Sequence, residues 1–176
     1  MCTVIVAATR SGLVVAGNRD ERIDRAPARP PLQTERDGVA VLAPVDGEQG
    51  GAWTAVNSAG LAISLLNNYQ AASQATVGEP VSRGHIVGHV AASKALDEVA
   101  ARLTDGTIHL ADVRPFTLVA AADGAAVRLD WDGVEVTIAP LTLPAMLVSN
   151  GGDLARATAA REAVFRDVQS TWAADG

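Results

Sequence analysis

The residues best suited to chemistry lie within the first 21 positions of this chain. Cys2 is the only cysteine and directly follows Met1, and the polar run Asn18-Arg19-Asp20-Glu21 comes sixteen residues later. Because the side chain of Cys2 is small, we expect Met1 to be removed, which leaves a thiol and a free α-amine on one residue. Such an amine has a pKa of about 7.7–8.0 and can act as a base near neutral pH. This combination predicts an N-terminal nucleophile.

The elements that position these groups are two short apolar runs, 2–8 and 13–17, separated by the polar, glycine-containing break 9–12. That pattern is typical of a β-hairpin, which places the end of the second strand beside the start of the first. We therefore expect Arg19 and Asp20 to lie near the sulfur and the amine of Cys2. Arginine favours the thiolate, and aspartate would hold and orient the ammonium. The alternative is that Cys2 is a buried strand residue, since unpaired cysteines are often buried.

Further motifs follow in a defined order: Gly50-Gly51-Ala52-Trp53, Asn57 with Gly60-Leu61, Ser82-Arg83-Gly84, Arg114-Pro115-Phe116 and Ser149-Asn150. Together with Met1-Cys2-Thr3 and the run at 18–21, they resemble the NRDE family, also called the transport and Golgi organisation family. The resemblance covers about residues 1–152. More distantly, the chain is similar to the choloylglycine hydrolase and penicillin V acylase families, which are N-terminal-nucleophile amidases. The resemblance implies a four-layer αββα sandwich of the α+β class, with two stacked, mostly antiparallel sheets.

The resemblance also implies roles for individual residues. Cys2 would be the nucleophile, Asp20 would orient its amine, and Arg19 would stabilise the thiolate or the substrate carbonyl. Side-chain amides would donate to the oxyanion and position the amine, and substrate-binding residues would surround them. The candidates for these two roles are Asn67 and Asn150 for the amides, and Asn18, Glu21, Asn68 and Arg83 for substrate binding.

Two departures limit this transfer of roles. The acylase motif reads Arg-Asn-x-Asp, whereas here asparagine precedes arginine, and the late arginine of the acylases has no evident equivalent besides Arg156 or Arg161. In addition, Asn67, Asn68 and Asn150 stand where asparagine commonly forms turns. For each of the three, the turn is the alternative to a role in the site.

Composition restricts the class of protein. The 176 residues carry a net charge of −6 and are 48% hydrophobic, which predicts one globular domain over 1–176 and excludes a nucleic-acid partner. A single cysteine excludes an internal disulfide, and no apolar run reaches the roughly 18 residues of a membrane span. We therefore expect a bacterial, cytoplasmic protein that acts on a small molecule. The sequence does not determine its oligomeric state.

Local patterns predict the remaining elements. Prolines and charges over 20–37 predict a long ordered loop, and residues 49–78 contain no charged side chain, which predicts buried strands leading to a polar pocket wall. We predict one helix over 84–103 with Ser82 as its N-cap, and a last helix over 153–169 that buries Leu154, Ala157, Val164, Phe165 and Val168. The predicted strands are 39–44, 52–57, 61–67, 115–122, 125–131, 134–139 and 146–149.

A second class of function is a carrier or chaperone without catalytic activity, for haem or another apolar ligand. Relatives in the family have been linked to haem handling, and His85 would then be the axial ligand. His85 and His89 are one helical turn apart, a spacing that can bind a metal, but no third ligand stands nearby, so we predict no metal and no resident cofactor. A third class is a domain that keeps the amidase fold without the activity.

Overall fold

The computed structural model describes residues 2–71 and 80–174, without the side chains of residues 170–174. Within these ranges the strands are β1 Cys2–Thr9, β2 Gly12–Arg19, β3 Arg29–Arg36, β4 Val39–Val45, β5 Thr54–Asn57, β6 Ala62–Asn67, β7 Phe116–Ala122, β8 Ala125–Trp131, β9 Val136–Pro140 and β10 Ala145–Ser149. The helices are α1 Gly84–Val90, α2 Leu96–Thr104 and α3 Leu154–Ala174, with a 3₁₀ turn at Leu110–Asp112.

The strands form two antiparallel sheets, a small one in the order β10-β1-β2 and a large one in the order β3-β4-β5-β6-β7-β8-β9. Helices α1 and α2 pack on one face of the large sheet, the small sheet packs on the other, and α3 contacts β10 on the outside. These are the four layers of the αββα sandwich that the resemblance implied.

Strand β7 shows how alternation builds the two cores. Leu118 and Ala120 face the helices, whereas Val119 and Ala121 face the small sheet, and all four are at most 1% exposed. Successive side chains of a strand point to opposite faces, so a strand buried on both sides is continuously apolar. The sheet that carries Cys2 is therefore held against the large sheet by a core of its own, which includes Val4 and Val6.

The predicted loop over 20–37 is wrong in its second half, where β3 forms the edge of the large sheet. Its register shifts between Arg29 and Leu32, so that Pro30 and Pro31 lie in the irregular segment. Proline is tolerated at a sheet edge and at a bulge because no ladder hydrogen bond is lost there. Only residues 20–28 remain a loop.

The single helix predicted over 84–103 is instead two helices. The break is held by Asn57, whose Nδ2 donates to the carbonyl oxygens of Ala91 at 2.9 Å and of Ser93 at 2.7 Å. The carboxylate of Glu98 then accepts the backbone N–H of Lys94 at 2.7 Å, just before α2 begins. A side chain from a distant strand thus satisfies carbonyls that a continuous helix would have bonded internally.

The structure also changes the predicted N-cap of α1 and the predicted buried face of α3. Ser82 is not the N-cap of α1, a position held by Arg83, although its hydroxyl accepts the N–H of Gly84 at 3.4 Å. Asp153 does cap α3, with its carboxylate accepting the N–H of Arg156 at 2.9 Å. The prediction that this helix buries Val164 and Val168 is wrong, since they are 65% and 38% exposed. Helix α3 packs mainly on β10, an edge strand of the small sheet, so over the described side chains its buried face is narrower than the apolar pattern predicts.

Candidate functional site

Cys2 begins the central strand of the small sheet. Its Cα pairs in register with Arg19 of β2 on one side and with Ser149 of β10 on the other. The side chain is partly buried, on the face that packs against the large sheet. Burial raises the pKa of the Cys2 thiol, against the opposing effects of the Asp20 backbone N–H, which donates to the sulfur, and of the Arg19 charge. The hairpin therefore does bring Cys2, Arg19 and Asp20 together.

Cys2 lies where three cavities meet. One of them, of about 360 Å³ and here named the arginine cavity, is lined by Cys2, Arg19, Glu21, Arg25, Asp46, Gln49, Gly51, Ala52, Trp53, Leu65, Asn67, Pro80, Val81, Ser82, Arg83, Gly84 and Arg114. A second, of about 390 Å³, contains Asp20, Tyr69 and Ser149. The third is a narrow space of about 170 Å³ between the sheets, with a mixed lining that includes Val4, Val15, Leu65, Thr54 and Ser64. The sulfur is thus accessible from the polar cavities and borders a small inter-sheet space.

Arg19 is fixed by several partners at once. Its guanidinium lies 2.8 Å from the carboxylate of Glu21 and 2.7 Å from that of Asp46, and it stacks 4.3 Å from the ring centroid of Trp53. Such contacts favour a planar guanidinium over a lysine ammonium. Arg19 is therefore a rigid, charge-balanced wall of the site.

Asp46 is the centre of this charge network. It is 6% exposed and accepts from Arg19 at 2.7 Å, from Arg25 at 2.8 Å, and from the backbone N–H groups of Glu48 and Gln49. Burial alone would raise the pKa of Asp46, but these four donors together lower it to about 2. Asp46 thus stays ionised at any physiological pH and holds both arginines.

The opposite side of the Asn-Arg-Asp-Glu corner contacts the last helix. The carboxylate of Asp20 pairs with Arg161 of α3 at 3.1 Å and accepts from Asn18 Nδ2 at 3.5 Å. Of the two late arginines left open by the sequence, it is Arg161 that reaches the corner. The second guanidinium nitrogen of Arg161, Nη1, is buried without a hydrogen-bond partner in the described part of the chain.

The asparagines occupy different environments. Asn67, at the end of β6, lines the arginine cavity with Cys2, and its Nδ2 donates to the hydroxyl of Tyr69 at 2.7 Å. The carbonyl oxygen of the Asn68 side chain instead accepts the N–H groups of Gln70 and Ala71, which is a turn. The Asn150 side chain is likewise engaged in its own turn, where it donates to the Asp153 carbonyl at 2.9 Å and accepts the Gly152 N–H.

Arg83 lies across the arginine cavity from this network. Its Nε donates to the carbonyl oxygens of Arg114 at 3.2 Å and of Pro115 at 2.9 Å. Burial and the neighbouring charge of Arg114 lower the pKa of Arg83, partly offset by Tyr69. The sequence named Arg83 but gave no reason to pair it with Arg114.

Glycine allows the two sides of the cavity to meet. A Cβ on Gly51 would lie 2.7 Å from the Cα of Gly84, and the N–H of Ala52 donates to the Gly84 carbonyl at 3.2 Å. Backbone can approach backbone this closely only without side chains. The loop that carries Asp46 is thereby joined to the start of α1, beside Arg83.

The histidines are not part of this site. His85 is exposed on α1, and Nε2 of His89 donates to the Arg102 carbonyl at 2.8 Å. Within residues 2–71 and 80–174, no group of three His, Cys, Asp or Glu side chains could hold a metal ion. Over the same ranges no helix is long and apolar enough to cross a membrane.

Sequence reasoning missed Asp46, gave Trp53 and Arg114 no role beyond their place in the family motifs, and left Arg161 as an alternative to Arg156. Asp46 precedes Gly47 and looks like a turn residue, and Arg161 looks like an exposed position of a surface helix. The available signal for Asp46 was an acidic side chain directly after an apolar strand. Nothing local in the sequence distinguished Arg161 from Arg156.

Comparison with known proteins gives both a family and a fold. The family described as Transport and Golgi organisation 2 matches residues 1–133. A comparison with curated proteins finds no match.

Among solved structures, the C2A mutant of conjugated bile acid hydrolase from Clostridium perfringens superposes with a TM-score of 0.60 at 14% identity, covering 93% of this chain and 58% of that one. Penicillin V acylase from Agrobacterium tumefaciens superposes with a TM-score of 0.56 at 12% identity, covering 85% of this chain and 52% of the acylase. The Caenorhabditis elegans ortholog of N-acylethanolamine-hydrolyzing acid amidase superposes with a TM-score of 0.55 at 16% identity, covering 85% of this chain and 70% of the amidase. The chain thus has the N-terminal-nucleophile hydrolase fold and spans a little over half the length of the first of these structures.

Proposed function

Because the chain belongs to the Transport and Golgi organisation 2 family and has the N-terminal-nucleophile hydrolase fold, we propose that it cleaves an amide or thioester bond, or transfers the acyl group, with Cys2 as nucleophile. The observation that carries this proposal is the position of the sulfur. The only thiol of the chain lies at the junction of three cavities, beside Arg19 and Asn67. The bile acid hydrolase with the same fold was also mutated at a cysteine in position 2.

The reaction uses the α-amine that removal of Met1 exposes. The amine takes the thiol proton, and the sulfur attacks the carbonyl carbon, forming a C–S bond while the carbonyl electron pair moves to oxygen. The oxyanion then collapses, the C–N or C–S bond to the leaving group breaks, and the ammonium returns its proton to that group. Water, or an acceptor amine or thiol, attacks the resulting thioester in the same way and regenerates Cys2.

The described residues fit distinct roles in these reaction steps. Asn67 donates to the oxyanion, a role that contributes roughly 3–4 kcal/mol in acyl transfer. Asp20 accepts from the ammonium, with its geometry fixed by Arg161, while Arg19 supplies positive potential at the sulfur. Asn150 shapes the turn into α3, where its amide is engaged. Asn18, Glu21 and Asn68 support the walls on which the substrate rests.

The protonation of Cys2 makes the amine indispensable. Burial raises the pKa of the thiol, so at pH 7 little thiolate forms without a local base. The test is therefore the mass of the N-terminus together with the rate of iodoacetamide labelling at pH 7. The matched control is a chain with one glycine inserted before Cys2, in which the amine is displaced.

We expect the chain that begins at Cys2 to be labelled at least about tenfold faster than the control at pH 7, because a neighbouring amine activates the sulfur. The two rates should converge at high pH, where both thiols ionise. Retention of Met1 in the purified protein, or equal rates at pH 7, would exclude this mechanism.

Turnover is tested with a panel of short acyl amides and acyl thioesters. Replacing the nucleophile in Cys2→Ala should reduce kcat/KM at least about 1000-fold. Asn67→Ala should lose about 100- to 1000-fold, whereas Asn68→Ala, whose side-chain oxygen accepts the N–H groups of Gln70 and Ala71, should lose less than about threefold. Wild-type turnover that persists in Cys2→Ala would rule out the assignment.

A second candidate, the carriage of an apolar ligand, is favoured by a groove of about 410 Å³ between β3, β4 and α1. Val41, Ala43, Val87 and Ala91 are among the residues that line it. Among the described residues, the groove lining contains no His, Cys, Met or Tyr, so it does not fit haem held by an axial protein ligand. Titration with haem, followed by visible absorption, should therefore give no axial-ligand spectrum, while a fluorescent fatty acid should bind if carriage is the function.

A further inference from the structure

Two arginines in the arginine cavity lack the acidic partners that the others have. Arg19 and Arg25 are each paired with Asp46 and Glu21. Within residues 2–71 and 80–174, no carboxylate forms an ion pair with Arg83 or Arg114, although both line the cavity that contains Cys2. The unpaired positive charge is therefore concentrated at one end of the cavity.

The backbone holds this arrangement in place. The Nε of Arg83 donates to the carbonyl oxygens of Arg114 and Pro115, which fixes the plane of the guanidinium beside the start of β7. Those bonds do not use the two terminal nitrogens of the fork, which are the donors that grip a carboxylate or phosphate in a bidentate manner. Arg114 is exposed and lines the same cavity, and its charge acts on Arg83, so it adds a second cation at this end.

Such a pair is costly when the cavity is empty. Two like charges near each other repel, and the charged form of Arg83 is further disfavoured because its side chain is largely desolvated. Burial and the charge of Arg114 accordingly lower the pKa of Arg83. The cost falls when an anion enters. In a chain of net charge −6, two cations that line one cavity and have no carboxylate partner among the described residues are a feature that an anionic ligand explains.

We propose that Arg83 and Arg114 form an anion subsite, and that the amide or thioester substrate carries a carboxylate or phosphate group bound there while its scissile carbonyl lies at Cys2. The substrate class rests on the function proposed above, whereas the subsite itself does not. The narrow inter-sheet space behind Cys2 has a mixed lining, with Val4, Val15 and Leu65 beside Thr54 and Ser64, and would receive a small group of the same molecule. The anionic end of the substrate thus lies toward α1.

The single cysteine allows a test that needs no turnover. Cys2 is alkylated in parallel with N-(iodoacetyl)glycine, which carries a carboxylate, and with neutral N-(iodoacetyl)glycinamide, at pH 8.5 and low salt. Each reaction forms a C–S bond and releases iodide. The ratio of the two rates cancels the thiolate fraction and reports only the preference for the anion. N-acetylcysteine amide gives the reference ratio for a free thiol.

We expect the ratio to exceed the free-thiol reference by at least about fivefold, because a positively charged cavity concentrates anions. It should fall toward the reference as salt rises, and in Arg114→Gln it should drop at least about threefold. Arg156→Gln, on the exposed face of α3, is the matched control and should leave the ratio unchanged. Arg83→Lys keeps the charge but not the fork, so it should give an intermediate value.

Inorganic phosphate and acetate identify the kind of anion. Stronger protection of Cys2 by phosphate at equal concentration assigns a phosphate-bearing substrate, and stronger protection by acetate a carboxylate-bearing one. A wild-type ratio equal to the free-thiol reference overturns the subsite, as does a ratio that Arg114→Gln leaves unchanged in a folded protein. A failure of amide or thioester turnover, with the ratio intact, would overturn the proposed reaction but not the subsite.

Discussion

The two ends of the arginine cavity differ in how their charged side chains are paired. At the Asp46 end, two arginines surround a buried carboxylate that also accepts two backbone N–H groups. At the Arg83 end, one anchored guanidinium and one exposed guanidinium lie together without an acid in the described part of the chain. The first arrangement stabilises the fold, whereas the second leaves positive charge available to a ligand.

The contact that joins the two ends should give the largest effect. In Gly51→Ala, the added Cβ would lie 2.7 Å from the Cα and 2.8 Å from the carbonyl carbon of Gly84, so backbone must move. We expect a loss of about 3 kcal/mol in the free energy of unfolding, measured by urea denaturation. Gly88→Ala, whose Cβ would meet only a side-chain nitrogen at 3.5 Å, is the control and should be neutral. Equal stability of the two variants would show that the two ends are not joined rigidly.

Removing the buried carboxylate should give the next largest effect. The pKa of Asp46 is about 2 in the folded chain and 3.8 in its ordinary state, which corresponds to about 2 kcal/mol of stability. Because the folded pKa is the lower one, that contribution is complete above pH 3.8 and is lost as pH falls through about 2. Asp46→Asn should therefore be less stable than wild type by about 2 kcal/mol at pH 7.

The pH dependence of that difference separates an electrostatic cause from a packing cause. Denaturation at several pH values should show the gap between wild type and Asp46→Asn closing as pH approaches 2. Asp24→Asn, whose side chain is 70% exposed beside Arg22, should change stability by less than about 0.5 kcal/mol. A gap that stays constant down to pH 2 would mean that the carboxylate charge does not hold this end together.

A smaller effect is expected where charge is kept but geometry is lost. Arg19→Lys retains a cation beside Asp46 but loses the planar stacking on Trp53 and the position of Nη2 between the carboxylates of Glu21 and Asp46. We expect a loss of about 1 kcal/mol. The exposed Arg166→Lys should show none. If Arg19→Lys is as stable as wild type, charge alone accounts for this end of the cavity.

The smallest effect should come from the uncompensated end. Arg114 is exposed and has no ion pair among the described residues, so Arg114→Gln should change the free energy of unfolding by less than about 0.5 kcal/mol. Thermal or urea denaturation measures this. A loss near that of Asp46→Asn would show that Arg114 has a structural role and that the two ends are alike.

Much of the fold and part of the site could be predicted from local patterns. Alternating and apolar runs predicted most of the strands, and the hairpin pattern predicted the proximity of Cys2 to Arg19 and Asp20. Asp153 correctly predicted the start of α3. The catalytic roles of these residues remain predictions. The layered arrangement came from the resemblance, since the order of elements alone does not fix how sheets stack.

The failures share a cause. Pro30 and Pro31 were assigned to a loop because a pattern does not say that a strand lies at a sheet edge, where proline costs little. The break between α1 and α2 depends on Asn57, and the partner of Asp20 is Arg161, 141 residues away. Each of these depends on a residue distant in sequence.

By itself the sequence determined most of the strands and the start of the last helix, and it determined that Cys2 and the 18–21 corner are neighbours, because hairpin register and hydrophobic periodicity are short-range. The tertiary structure alone decided which charges are neutralised. Asp46 balances Arg19 and Arg25, whereas no carboxylate of residues 2–71 and 80–174 pairs with Arg83 or Arg114, because ion pairing depends on distances of a few ångströms between elements far apart in the chain.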